Sequence, residues 1–215
     1  SITGNTSIGK NNIFYPFTNI GCEPQDLKFS GEDSFLEIGD SNTFRENVTI
    51  SKGTEDGGMI TSIKNNNLFM TGVHIAHDCV IGNNAIFANN ATLAGHVEVG
   101  DWAIFGGFTG AHQFTKIGAH SFIGMNTLTT KDIPAYIMAE GQPIRPRGVN
   151  IEGLKRRDFT SGQIKNIKNA YRILYRKDLK LSSSITEIEV LSKDQPELKI
   201  LLDSLQLSSE RGIIR

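Results

Sequence analysis

Broken every sixth residue, positions 75–122 read IAHDCV IGNNAI FANNAT LAGHVE VGDWAI FGGFTG AHQFTK IGAHSF. The first column is apolar throughout: Ile75, Ile81, Phe87, Leu93, Val99, Phe105, Ala111 and Ile117. It extends back to Ile63 and Phe69 and forward to Ile123. The second column is mostly Ala or Gly, and the fifth holds Cys79, Ala85, Ala91, Val97, Ala103, Thr109, Thr115 and Ser121, where only slim side chains fit. An amphipathic helix repeats at about 3.6 residues and a half-exposed strand at about 2, so this period belongs to neither. It belongs to a parallel β-helix, in which three hexads make one triangular coil and the first position points into the prism. Ile2, Ile8, Phe14 and Ile20, then Ile38, Phe44 and Ile50, carry the same pattern. The interruptions at about 22–36 and 51–62 are expected to be loops leaving the repeat.

The chain changes character at Pro143–Pro146, which divides it into a prism of residues 1–142 and a helical C-terminal domain of residues 143–215. Beyond that point Thr160 with Gln163, Ser184 with Glu187 and Asp194 with Glu197 form capping-box patterns, each expected to open a helix, with Pro196 in the first turn of the last. Ile164, Ile167, Tyr171 and Leu174 mark the buried stripe of the first of these helices. Residues 151–180 hold nine Lys or Arg against three Asp or Glu, while residues 1–150 are net acidic. A run of this kind reads either as a solvated helix face or as a surface for an acidic partner.

Composition narrows the classes. With 215 residues, 38% of them hydrophobic, and a formal net charge of −1, the chain suits a globular domain, and no nucleic acid is expected as a partner. No apolar run approaches the roughly 18 residues of a transmembrane helix, and no basic-then-apolar leader opens the sequence, so a cytoplasmic protein is expected. Two cysteines, Cys22 and Cys79, are too few for a disulfide framework.

On a prism of three-hexad coils, residues 18 apart lie one coil above another, about 4.8 Å along the axis. Asp78 then lies under His96, His77 under Gly95, and Gln113 continues the His77 column with His112 beside it. A single histidine is more often structural than catalytic, but this face gathers a histidine, an acid, a glycine backbone and an amide. A metal needs ligands converging to about 2.1 Å of one point; no thiolate or evenly spaced histidine pair supplies that, and no metal is expected. An imidazole titrates near about pH 6.5 and can take a proton from a hydroxyl at neutral pH, with an adjacent carboxylate fixing its tautomer. A glycine allows a substrate carbonyl to reach a backbone N–H. The residues therefore suggest acyl transfer to an alcohol, with a non-catalytic β-helix scaffold as the alternative.

The stretches HIAHDC, ANNATLAGHVEVGD, GAHQF and QDLKFSGE, and above all GVNIEGLKRR at 148–157, resemble the UDP-N-acetylglucosamine O-acyltransferase family, the hexapeptide-repeat enzymes that open lipid A synthesis. The resemblance spans nearly the whole chain, although family members carry further hexads ahead of the position matching Ser1. It implies a left-handed β-helix followed by a small helical domain, assembled as a homotrimer with sites between chains. It implies His77 as general base, Asp78 as its orienting acid and Gly95 as oxyanion donor. Gln25, Asp26, Lys28, His74 and His96 match sugar and phosphate contacts, His112 and Gln113 the pair near the acyl group, and Asn150, Glu152, Arg156 and Arg157 the nucleotide-binding segment. Met125 matches the position that limits acyl length, a bulky residue there going with about ten to twelve carbons. No cofactor is implied; acyl carrier protein brings the 3-hydroxyacyl donor, and the basic 151–180 region would suit that acidic partner. The sister enzyme that N-acylates the next glucosamine intermediate shares the prism but lacks NIEGLKRR.

Overall fold

The computed structural model describes all 215 residues. The hexads wind into three sheets of six, eight and six strands, parallel except for the last strand of the eight, so that each coil contributes one short strand to each face of a triangular prism. Val80 and Ile81 pair in register with Glu98 and Val99, Ile86 and Phe87 with Ile104 and Phe105, and Thr92 and Leu93 with Gly110 and Ala111. The fourth residue of nearly every hexad is left-handed: Asn66, Asp78, Asn84, Asn90, His96, Trp102, Phe108, Phe114, His120 and Asn126 all lie between φ 54° and 65°. That residue turns each corner of the left-handed β-helix.

The inward column forms the core. Phe14, Phe44, Phe69, Phe87 and Phe105 stack at centroid spacings of 4.6 to 4.9 Å, close to the strand spacing that sets the coil rise. Burying one such ring contributes about 1.5–3 kcal/mol, an upper estimate against a compact unfolded chain. Cys79, Ala85, Ala91, Val97 and Ala103 are fully buried behind the corners, where a larger side chain would force the turn open.

The two interruptions are shorter than the sequence suggests. Strand Phe35–Ile38 resumes pairing at Phe35, and strand Ile60–Ile63 at Ile60, leaving loops of about 23–34 and 52–59. Ile13 pairs with Thr43, Thr43 with Leu68, and Leu68 with Ile86, so the loops are excursions from one corner while the stacking register continues beneath them.

The far end closes differently. Phe122 pairs with Met138, a coil two residues short, and strand Ile137–Glu140 then pairs antiparallel with Arg145–Val149. The division expected after residue 142 falls in the turn of this hairpin, so residues 145–149 belong to the sheet and the helices begin at α1, Ile151–Lys155. Of the expected helix starts, Thr160 caps α2 (Ser161–Arg176) with both arms of the capping box formed. The other two differ. Ser184 lies inside α3 (Leu181–Ser192), buried, its hydroxyl donating to Ile173 O, and α4 (Leu198–Gln206) begins after Glu197, with Asp194 in the preceding turn. Tertiary contact claimed Ser184, because a buried hydroxyl facing a carbonyl of α2 is worth more than a cap at an exposed end. The helices seal the prism: Tyr136, fully buried, donates to Glu197 O at 2.8 Å, and Asp132 accepts from Ser209. No helix is long and apolar enough to cross a membrane.

Candidate active site

The corner after strand His74–Ile75 carries the densest polar cluster. His77 Nδ1 lies 2.7 Å from Asp78 Oδ2. A carboxylate only accepts, so the proton sits on Nδ1 and the Nε2 lone pair is free. The Asp78 side chain is completely buried and also accepts from Thr54 N–H at 2.8 Å and Thr54 Oγ1 at 2.6 Å, while Asp78 N–H donates to Thr61 Oγ1. The second loop thus wraps the acid, and Gly57 packs on its carboxyl with no room for a Cβ. Two hydrogen bonds from Thr54 fix the carboxylate, a third fixes the Asp78 backbone, and the carboxylate fixes the imidazole.

Gly95 stands directly over His77, where a Cβ would come within 2.5 Å of the imidazole Cε1. Its N–H is not spent in the coil's own hydrogen bonds. His96 meets the His77 ring edge-on at 5.1 Å, stacks on Phe114 at 4.3 Å, and holds Nε2 3.8 Å from Asp78 Oδ2. Burial lowers the His96 pKa, against the attraction of Asp78. His74 accepts or donates at Nδ1 to Thr49 Oγ1, 2.7 Å away, and burial, with His77 nearby, lowers its pKa too. Both are thereby biased to the neutral form, which can donate at one ring nitrogen and accept at the other.

His77, Asp78 and His96 each offer a ligand atom within 4.8 Å of the others. The Asp78 oxygens are already committed to Thr54 and His77, so the geometry fits a hydrogen-bonded base better than a metal centre. Burial pushes the Cys79 thiol up to about 12, which removes it as a nucleophile.

From the first loop, Lys28 pairs with Asp56 of the second at 2.9 Å, and Asp26 accepts from Lys28 N–H; Gln25 is exposed beside them. The Lys28 contact holds the Asp56 carboxyl below its usual range. A cavity of about 670 Å³ opens beside the second loop at this corner, lined by Gly57, Asp78, His96, Phe114, Lys116 and Arg211. His112 and Gln113 are exposed one coil beyond Gly95, and neither hydrogen-bonds to His77 or Asp78.

The other expected residues lie elsewhere. Asn150 caps α1, accepting from Gly153 N–H and donating to His120 O at 3.0 Å; it is 8% exposed. Glu152 pairs with Lys155, and Arg156 is exposed. The Arg157 guanidinium lies 5.0 Å over the Trp102 ring and donates to Trp102 O. This group packs on the corner one hexad after that of His77, since Trp102 and His120 share the Asn84 column. Met125, 71% exposed, stands on the third corner with Phe108. One chain therefore places the His77–Asp78 pair and the loops on one corner, the 150–157 segment on a second and Met125 on a third. Thr49, Thr54, Asp56 and Phe114 were missed from sequence. Phe114 was legible as the residue one coil above His96; the loop residues obey no period.

Residues 132–214 match the family model described as Udp N-acetylglucosamine O-acyltransferase, domain 2, and residues 60–95 the bacterial transferase hexapeptide model. The acyl-[acyl-carrier-protein]--UDP-N-acetylglucosamine O-acyltransferase of Thiobacillus denitrificans is 50% identical over 96% of this chain and 79% of its own length. That of Stutzerimonas stutzeri is 46% identical over 99% and 82%. Among solved structures, the Francisella novicida UDP-N-acetylglucosamine acyltransferase superposes with a TM-score of 0.97 at 40% identity, covering all of this chain and 78% of that one. The Acinetobacter baumannii enzyme does so with 0.97 at 43%, over 100% and 83%. A prism of this register, a histidine oriented by a buried acid under a glycine, and relatives this close over nearly the whole length place the chain in the UDP-N-acetylglucosamine O-acyltransferase family, and it is an acyltransferase.

Proposed function

We propose that the chain transfers a 3-hydroxyacyl group from acyl carrier protein to the glucosamine 3-hydroxyl of UDP-N-acetylglucosamine, the first step of lipid A synthesis. The observation that carries the mechanism is the His77–Asp78 pair at 2.7 Å with Gly95 above it. His77 Nε2 takes the proton as the sugar oxygen attacks the thioester carbonyl, and the charge developing on the carbonyl oxygen is met by Gly95 N–H. Collapse breaks the C–S bond, and the imidazolium returns the proton to the departing carrier thiolate. Asp78 holds the tautomer and offsets the imidazolium charge. His74, His96, Gln25, Asp26 and Lys28 hold the sugar and phosphates, His112 and Gln113 the acyl group, and Asn150, Glu152, Arg156 and Arg157 the nucleotide, with charge-assisted bonds from the arginines to the diphosphate.

The separation of these groups over three corners supports a homotrimer, in which a neighbour supplies the second wall of each site. Exposed Phe108, Met125 and Leu128 supply the apolar surface such a wall needs for an acyl chain. Met125 lies about 13 Å beyond His77 along the axis at about 4.8 Å per coil. A zigzag alkyl chain gains roughly 1.2 Å per bond by backbone-like geometry, which favours about ten to twelve carbons. Arg147, Lys168, Arg172 and Arg176 line a groove of about 370 Å³ between the terminal hairpin and α2, a positive surface suited to the acidic carrier protein. The reaction needs no cofactor, and the reading is of a cytoplasmic enzyme.

The test is one incubation with UDP-N-acetylglucosamine and a mixture of 3-hydroxydecanoyl, 3-hydroxydodecanoyl and 3-hydroxytetradecanoyl carrier protein. Mass spectrometry is expected to find O-acylated product with the two shorter chains, and Met125→Gly to move the optimum toward the longest. An N-acylated product, or none, overturns the activity; an unchanged product ratio in the variant removes Met125 from its role.

A further inference from the structure

We propose that His120 is a positioning residue for nucleotide binding, its ring and its carbonyl holding the two ends of the Asn150–Arg157 segment so that the Arg157 guanidinium meets the nucleotide already oriented. The inference rests on the reading of Arg157 as a diphosphate contact. His120 Nδ1 lies 3.2 Å from Arg157 Nη1, and His120 O accepts from Asn150 Nδ2 at 3.0 Å. Asn150 opens the segment and Arg157 closes it, so one residue ties both. Arg157 Nη2 also donates to Trp102 O at 3.1 Å, with the guanidinium over the indole. The guanidinium is thus held by an acceptor on one side and an aromatic face beneath, leaving the rest of its donor fork for a ligand.

The ring itself is immobilised. His120 is 8% exposed, stacks on Tyr136 at 5.5 Å and meets Phe159 edge-on at 5.3 Å. Its backbone N–H donates to Asp101 O, in the left-handed corner at φ 60°. Arginine has no lone pair to offer, so His120 must accept, which requires the neutral imidazole with its proton on Nε2. Burial first, and the Arg157 charge second, against Asp101, lower its pKa to about 4, which keeps the acceptor lone pair throughout the neutral range. A histidine placed here only to fill the core would need no such lone pair, and that difference makes the role testable.

The experiment uses the full chain and two substitutions. His120→Phe keeps an aromatic ring but removes the acceptor, and the same corner position already accepts phenylalanine at Phe108 and Phe114. His120→Asn puts an amide oxygen near the place of Nδ1, in a conformation Asn84 and Asn126 adopt. The KM for UDP-N-acetylglucosamine is expected to rise about tenfold in His120→Phe with kcat within about twofold, the loss of one hydrogen bond to a charged group. His120→Asn should stay within about threefold of the parent on the same scale. Trp102 is the only tryptophan, so its emission reports the clamp directly and is expected to change in His120→Phe and to follow a titration with UDP. In an Arg157→Ala background, His120→Phe should add less than about twofold, the signature of a shared path. Should His120→Phe lower the melting temperature, His120→Ala repeats the comparison. An unchanged KM in a folded His120→Phe chain, or its full effect persisting without Arg157, overturns the positioning role. An unchanged KM in Arg157→Ala overturns the diphosphate reading on which it rests.

Discussion

The corners of residues 63–93 and those of residues 94–123 have the same backbone and different chemistry. The first set turns on Asn66, Gly72, Asp78, Asn84 and Asn90, the second on His96, Trp102, Phe108, Phe114 and His120, with the non-glycine members all between φ 57° and 65°. Asn and Asp visit this left-handed region because a short polar side chain bonds locally, whereas other residues pay about 1–2 kcal/mol each for the Cβ clash. Four of the five costly residues have a compensating contact within the chain. His96 stacks on Phe114, and Trp102 lies under Arg157. His120 packs on Tyr136. Phe108, 59% exposed, has no aromatic partner in the chain. Strain concentrates where side chains are needed outside the prism, which is the usual direction of inference from a backbone outlier to a site. Asp78 is the exception that joins the two sets: it satisfies the corner without strain and still serves the imidazole.

His77→Ala should lower turnover by at least about a hundredfold, the contribution of a general base, while leaving the chain folded because the ring lies outside the prism core. Steady-state turnover alongside a thermal melt checks both halves, and near-parental activity would take the base role from His77. Asp78→Asn should cost less in turnover, because the base itself remains, although the amide both changes the tautomer preference and sets an NH2 against a Thr54 or His77 donor. A loss equal to that of His77→Ala would mean that the acid, and not the imidazole alone, is indispensable.

Acid sharpens the contrast between strained and unstrained corners. The His120 pKa lies near 4 in the fold, below about 6.5 in an unfolded chain, so the unfolded state binds more protons between these values. Its contribution to stability is complete above about pH 6.5 and is lost as pH falls toward 4. Between pH 6.5 and 4.5 the parent should therefore lose about 5 °C more in melting temperature than His120→Asn, at roughly 2–4 °C per kcal/mol for a chain of this size. Equal slopes would remove the titration from His120. The smallest effect belongs to Phe108→Asn, which relieves the corner but removes apolar surface from the proposed neighbour-facing wall, so it should raise the melting temperature by at most about 2–4 °C. No rise, measured by calorimetry, would show that the left-handed phenylalanine carries no net cost.

Much of the site was legible because the prism converts spacing into distance. His77 under Gly95 and Asp78 under His96 follow from counting eighteen, and so does Phe114 over His96. Thr54 and Asp56 could not be counted, since they ride on a loop whose length is free once it leaves the corner. The C-terminal helices were only partly legible. Thr160 and Gln163 close a capping box at an exposed start, but the same spelling at Ser184 lies within α3, where packing against Ile173 decides the hydroxyl's partner.

By itself the sequence determined the parallel β-helix, the inward column, and which polar residues share a corner, because a six-residue repeat imposes its geometry locally and identically at every coil. Only the tertiary structure decided that the 150–157 segment packs on the corner of Trp102 and His120, that Thr54 wraps Asp78, and that His120 ties Asn150 to Arg157. Those relations run through the two loops and the α1 segment, where no period operates and position is set by packing and by the pairing of buried polar groups.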